Sequence, residues 1–208
     1  MHAETLTKET REVFDLLKDS VAGFYLAGGT ALALQLGHRM SIDLDFFSQE
    51  PFIIQEILKM LSTKGPLEVD SQSEDTINGS LCEVKISFFR LPFALLFPAK
   101  EFFGVQIADE RDIAAMKILA ISGRGSKKDF IDLYFLLKKY SMKDMLGFFH
   151  KKYALYNYNT MHILKSLAYF TDADSDAEPV CFLPTNWQTV KKEIQKETDK
   201  YLQLESES

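Results

Sequence analysis

Residues 24–47 read FYLAGGTALALQLGHRMSIDLDFF, and this stretch decides the fold. Phe24 to Ala27 is a short apolar run with aromatic weight, which predicts a buried strand. Gly28 and Gly29 make the turn that follows. Thr30 opens a short apolar helix, and Gly37 ends it. Ile42 to Phe47 returns as a second strand carrying Asp43 and Asp45. Residues i and i+2 of a strand share a face, so the two carboxylates stand together. They repel each other unless a cation lies between them, and hard oxygen ligands suit magnesium. Asp is disfavoured in strands, so two on one face of an aromatic-rich segment need a reason.

Working outward, the composition is that of a folded globular protein. The chain has 208 residues, 46% hydrophobic and 26% charged, with seventeen phenylalanines and eight tyrosines to fill a core. The formal net charge of −6 argues against an extended, strongly basic nucleic-acid surface, though not against a local basic patch. Cys82 and Cys181 lack metal-ligand or redox spacing and are expected as free thiols in a reducing cytoplasm. The polar N-terminus does not read as a signal peptide, and no apolar run approaches the length of a membrane span. A cytoplasmic location is the expectation.

Before the central stretch, residues 4–19 read as an amphipathic helix with Val13, Phe14, Leu16 and Leu17 on its apolar stripe. After it, Pro51 is expected to open a helix, PFIIQEILKMLST, that Lys64-Gly65-Pro66 breaks. Asn78-Gly79 lies between two alternating segments and predicts a hairpin turn there. Val105 to Ile107 reads as one more short strand. From Asp109 the pattern is helical. One helix ends at Gly123, a second runs from Ser126 to Tyr140, and others are expected at 142–152, 160–170 and 186–202. TDADSDAEP reads as a solvated acidic loop, and the closing ESES is expected to fray. The predicted fold class is α/β (α+β): an α/β core over residues 1–107 with a small mixed sheet, then a helical half over 108–208. We expect one compact unit with a cleft between the halves.

Nucleotidyl transfer needs a triphosphate cradle, magnesium to neutralise charge, and an acceptor positioned in line. Gly28, Gly29 and Thr30 fit the cradle, because glycines admit phosphate oxygens close to the backbone and a helix N-terminus offers N–H groups. Asp43 and Asp45 fit the metal ligands.

LAGGTALALQLGHRMSIDLDFF resembles the first motif of the DNA polymerase β-like nucleotidyltransferases. With GHR-x-S-x-DLDFF it resembles, more narrowly, the AbiEii/AbiGii toxin family of type IV toxin–antitoxin and abortive-infection systems. DIAAMKILAISGRGSKKDFIDLYFLL is similar to that family's later motifs, so the likeness covers residues 20 to 140 in order. It implies a Mg2+-dependent nucleotidyltransferase acting on a nucleoside triphosphate, with RNA (a tRNA 3′ end), a protein hydroxyl or a small molecule as acceptor, and a cognate antitoxin as partner. It implies that Gly28, Gly29 and Thr30 hold the phosphates and that Asp43 and Asp45 bind the metal. Lys117, Arg124, Lys128, Asp129 and Asp132 would line the other side of the cleft, with Lys117 on phosphates and Asp129 orienting a base or a catalytic group.

Each of these residues also has a plainer reading. Arg39 either approaches the phosphates or forms a salt bridge that orients an aspartate. Asp129 could cap its own helix, Asp132 could pair with Lys128 at i, i+4, and Lys117 could extend to solvent. One departure from the family pattern stands out. The third carboxylate of many polymerase β-like enzymes falls at Ser87 here, and Glu83, four residues earlier on the same expected face, is too far to replace it. Three readings stay open: an active transferase, a catalytically degenerate nucleotide-binding module, and a small-molecule adenylyltransferase of the antibiotic-modifying type.

Overall fold

The computed structural model describes residues 1–206; Glu207 and Ser208, part of the expected frayed end, lie outside the described residues. The chain divides into two compact units, Met1–Asp109 and the residues from Glu110 onward.

The first unit opens with a 3-10 turn (Ala3–Thr5) and α1 (Lys8–Leu17), which Thr7 caps by accepting from the Thr10 N–H. Val13, Phe14 and Leu17 of α1 are buried, as their spacing predicts, but Leu16 is 41% exposed. β1 (Tyr25–Ala27) runs directly into α2 (Gly28–Leu36), and Gly37 ends the helix in the left-handed region. Thr30 to Leu34 are all buried, as expected of a helix that is apolar on every side. β2 (Leu44–Ser48) starts two residues later than the sequence suggests, and Ile42 is exposed. α3 (Ile54–Ser62) starts three residues after Pro51, because Ile53 is still extended.

Three strands follow where two were expected: β3 (Leu67–Ser73), β4 (Thr76–Leu81) and β5 (Val84–Arg90). The Asn78-Gly79 turn is therefore corrected. Both residues lie within β4, paired with Ser71 and Val69 of β3 and with Ser87 and Ile86 of β5. At Gly79 a Cβ would stand 2.2 Å from the Glu68 carbonyl oxygen, so glycine serves close strand approach there. The chain reverses instead at Glu74-Asp75 and at Cys82-Glu83, where φ is 49° and 66°. Two successive positive φ values match the strand twist in a two-residue hairpin loop. Glu83 is thus a turn residue and does not share a strand face with Ser87. A third hairpin joins β6 (Lys100–Phe102), which had no clear sequence signal, to β7 (Val105–Ile107).

The seven strands form one mixed sheet in the order β3-β4-β5-β2-β1-β7-β6. β2 pairs parallel with β5 and antiparallel with β1, which in turn pairs parallel with β7. Leu44, Phe46, Ile86 and Phe88 are buried on one face, where Phe24, Phe46 and Phe88 pack with ring centroids 5.1 Å apart. Each fully buried ring of this kind contributes about 1.5–3 kcal/mol. Asp45, Phe47, Ser87 and Phe89 point to the opposite face.

The second unit is helical: α4 (Glu110–Gly123), α5 (Lys127–Leu137), α6 (Met142–Lys152), α7 (Thr160–Leu167), the short α8 (Thr171–Asp174) and α9 (Trp187–Ser206). α4 packs against α5, α6 and α7, burying Ile113, Ala114, Ile118 and Ile121. A capping box at Ser141 and Asp144 starts α6. The acidic stretch 171–179 is not merely solvated. Asp174 accepts from Lys191 Nζ and Trp187 Nε1, and Asp176 and Glu178 hold Lys127, which is buried. No helix among the described residues is long and apolar enough to cross a membrane.

Candidate nucleotide-binding and catalytic residues

In the first unit the fold gathers Gly28, Gly29, Thr30, Arg39, Asp43 and Asp45 around the β1–α2 junction. Gly28 has φ +69°, and a Cβ there would lie 2.9 Å from Asp45 Oδ2. The carboxylate packs on the bare α-carbon, in a backbone conformation that L side chains rarely adopt. At Gly29 a Cβ would lie 2.4 Å from Arg39 Nη2. The two glycines therefore admit one anionic and one cationic side chain to the start of α2. The N-cap, Ala27, provides no side-chain cap to the first turn of that helix.

Arg39 is 3% exposed and donates from Nη1 to the Met40 carbonyl at 2.9 Å. Thr30 is buried as well. Its hydroxyl donates to the Asp43 carbonyl oxygen and lies 2.8 Å from Ser41 Oγ. In this structure Thr30 braces the segment that carries Asp43 rather than presenting its hydroxyl outward. Ser41, which sequence reasoning missed, shares that brace; its only signal was its place inside GHRMSID.

Register fixes the neighbours of Asp45, which pairs with Ala27 on one side and Ser87 on the other. Ser87 thus occupies the position beside Asp45 on the adjacent strand. Beyond it come Asn78 and then Ser71, with Asn78 Nδ2 donating to Ser71 Oγ at 3.1 Å. One step along the strands, Tyr25, Phe47 and Phe89 form an aromatic row with centroids 5.9 and 5.3 Å apart. Among the described residues no group of three or more His, Cys, Asp or Glu could hold a metal ion. Asp45 lies on β2, whereas Asp43 lies just ahead of it, outside the strand on which the sequence places both.

In the second unit Lys117, Arg124, Asp129 and Asp132 come together. Lys117 does not extend to solvent. It is 4% exposed, and its Nζ lies 2.8 Å from Asp129 Oδ1 and 2.6 Å from Asp132 Oδ2. Both aspartates are fully buried. Asp129 also accepts from Arg124 Nε at 3.1 Å and Ser126 Oγ at 2.6 Å. Burial alone would raise the Asp129 pKa; the Lys117 and Arg124 charges outweigh it and hold the group at about 2. Such a carboxylate is ionised and a poor proton acceptor at neutral pH. In this structure Asp129 anchors two cations, Lys117 and Arg124. The Arg124 side chain is two-thirds exposed despite this anchoring, and Lys128 is exposed. A second buried pair, Lys152 with Asp112 at 2.7 Å, had no sequence signal beyond an acidic first turn.

The family model "Nucleotidyl transferase AbiEii toxin, Type IV TA system" matches residues 16–81 and 76–204. The chain belongs to the AbiEii nucleotidyltransferase toxin family. The first matched segment of AbiEii holds Gly28 to Asp45, and the second holds Lys117 to Asp132. An uncharacterized protein of Aquifex aeolicus (strain VF5) is 38% identical over 210 residues, covering 95% of this chain and 98% of that one. Among solved structures, JHP933 from Helicobacter pylori superposes with a TM-score of 0.58 at 17% identity, covering 97% of each chain. MenT4, a nucleotidyltransferase toxin from Mycobacterium tuberculosis H37Rv, gives 0.57 at 13% identity, covering 90% of this chain and 79% of its own. At these identities the structural likeness establishes a shared fold and nothing finer.

Proposed function

We propose that this chain transfers a nucleotidyl group from a nucleoside triphosphate to a hydroxyl of an RNA acceptor, as the toxin of a toxin–antitoxin pair. The observation that carries the reading is the Asp45 carboxylate packed on Gly28 at the start of α2. It joins an anion-binding helix end to a metal-ligand carboxylate in one piece of backbone.

The donor set fits magnesium. Mg2+ takes one or two protein carboxylates and completes its shell with water and substrate phosphates. Asp43 and Asp45 would hold it, and when bound it would neutralise the triphosphate. The chain's own groups do the rest. The Gly28 and Gly29 region offers backbone close to the phosphates. Arg39 places positive charge against Gly29, and Thr30 fixes the Asp43 backbone from behind. Arg124, held by Asp129, and Lys128 offer cationic groups to an anionic substrate, and Lys117 keeps the buried aspartates neutralised.

The test is incubation of the full chain with each labelled nucleoside triphosphate, Mg2+ and total RNA. Label should pass to RNA with the wild type and be lost with Asp43→Ala and Asp45→Ala. A second reading rests on Ser87 beside Asp45, where a carboxylate would strengthen metal binding. In that reading the chain binds nucleotide without turnover, and calorimetry would show triphosphate binding with no label transferred to any acceptor.

A further inference from the structure

The region around the end of α6 is chemically unlike the rest of the chain. Between Ser141 and Leu167 stand three exposed lysines, Lys143, Lys151 and Lys165, and two histidines against a single aspartate, in a protein of net charge −6, while Lys152 is paired with the buried Asp112. The same interval carries Phe148, Phe149, Tyr153, Tyr156 and Tyr158. A cavity of about 310 Å3 opens there, lined among others by Phe149, His150, Tyr153, Tyr156, Asn157 and Tyr158. That volume is in the range of small-ligand sites.

The walls are built from rings that brace one another. Phe149 lies 5.1 Å from Tyr153 and 5.2 Å from Tyr158, and Tyr153 lies 5.8 Å from Tyr158. Tyr153 and Phe149 are buried and form the floor. Tyr156, 55% exposed, is tilted only 30° from Tyr158 at 6.0 Å. Asn157 and His150 are exposed at the rim, and Lys151 is exposed beside them on the last turn of α6. The loop from Tyr153 to Asn159 connects two fixed points, the end of α6 and the Asn159 cap of α7.

We propose that this cavity binds an unpaired nucleobase of a single-stranded RNA. Aromatic faces stack on bases, an amide and an imidazole can hydrogen-bond base edges, and neighbouring lysines attract the phosphate backbone. The proposal deepens the transferase reading by giving the acceptor strand a binding site of its own, in the second unit.

The experiment uses the full chain and a fluorescein-labelled twelve-nucleotide single-stranded RNA, followed by anisotropy. The same RNA annealed to its complement serves as the paired control. Single-stranded RNA should bind at least about tenfold more tightly than duplex. Tyr156→Ala should weaken binding about tenfold, the loss of one base stack, while Tyr156→Phe should retain it. Asn157→Ala, at an exposed side chain, should weaken it severalfold, and circular dichroism checks that each variant is folded. Equal affinity for single strand and duplex would reduce the site to general electrostatics and overturn the inference, as would equal binding by wild type and Tyr156→Ala. Displacement of RNA by polyglutamate at equal charge would point to an acidic protein partner and overturn it too. Wild type that binds a triphosphate in calorimetry but no RNA sinks this inference and leaves the nucleotide site standing.

Discussion

Replacing Asp129 by Asn tests whether the buried ion cluster holds the helical unit together. Asp129 is fully buried and meets Lys117, Arg124 and Ser126. Its carboxyl is held at about 2 against an ordinary 3.8, so the ionised form favours the folded state. That difference corresponds to roughly 2 kcal/mol. The stability is fully present above about pH 4 and is lost as pH falls through about 2, because the folded value lies below the unfolded one. Asn also leaves Lys117 with Asp132 as its remaining buried carboxylate partner in this cluster, so the cost at pH 7 is about 2–4 kcal/mol. The assay is urea unfolding followed by the fluorescence of Trp187, the one tryptophan in the sequence. Its ring lies 6.0 Å from Phe130 on α5, so it reports on this unit. Measured from pH 5 down to pH 2, the wild type should lose stability more steeply than the variant. A cost below about 1 kcal/mol at pH 7, or identical slopes, would refute the reasoning.

Gly28→Ala should abolish triphosphate binding in calorimetry and cost about 1–2 kcal/mol of stability, because φ +69° is unfavourable for alanine and its Cβ would displace the Asp45 carboxylate. Gly79→Ala should cost more than about 2 kcal/mol in thermal unfolding, because the Glu68 carbonyl is backbone and cannot swing away. Ser87→Asp should lower stability by about 0.5–1 kcal/mol without metal through repulsion from Asp45, and added Mg2+ should reverse the loss in a melting experiment. Lys152→Met should destabilise by about 3–5 kcal/mol by removing the cation paired with the buried Asp112, and Lys152→Met with Asp112→Leu should recover much of it.

The first motif was legible because its information is local. Two glycines, a helix that is apolar all round and an alternating Leu-Asp-Phe strand each have a physical reading inside a few residues. The failures came where a local cue competed with pairing to distant chain. Asn78-Gly79 is the strongest two-residue turn signal, yet Ile77, Gly79 and Leu81 continue one alternation and Thr76, Asn78 and Ser80 the other. That unbroken period of two was the signal to weigh against it. The real turn, Cys82-Glu83, uses residues that rarely adopt positive φ, so nothing local announced it. Lys117 was misjudged for a related reason. A lone lysine in an apolar helix suggests an extended chain, and only the fold brings in Asp129 and Asp132 from the next helix. Their i, i+3 spacing put both carboxylates on one face of α5, which was readable. The cation they share was not.

The parallel pairing of β2 with β5, and of β1 with β7, sets when the first site can exist during synthesis. Asp45 meets Ser87 only after the whole β3–β4 hairpin has been made, and β1 gains its outer neighbour only with Val105–Ile107. The two central strands are the earliest made, yet each is flanked by a strand made much later. Non-local parallel pairing of this kind closes long loops and folds slowly. A nascent chain that has released Gly28 to Asp45 but not Ile107 therefore has the motif without the sheet that holds it. The corner between β1 and α2 gains its flanking strands only once half the chain has been made, an interval in which a partner could meet the chain before that corner is complete.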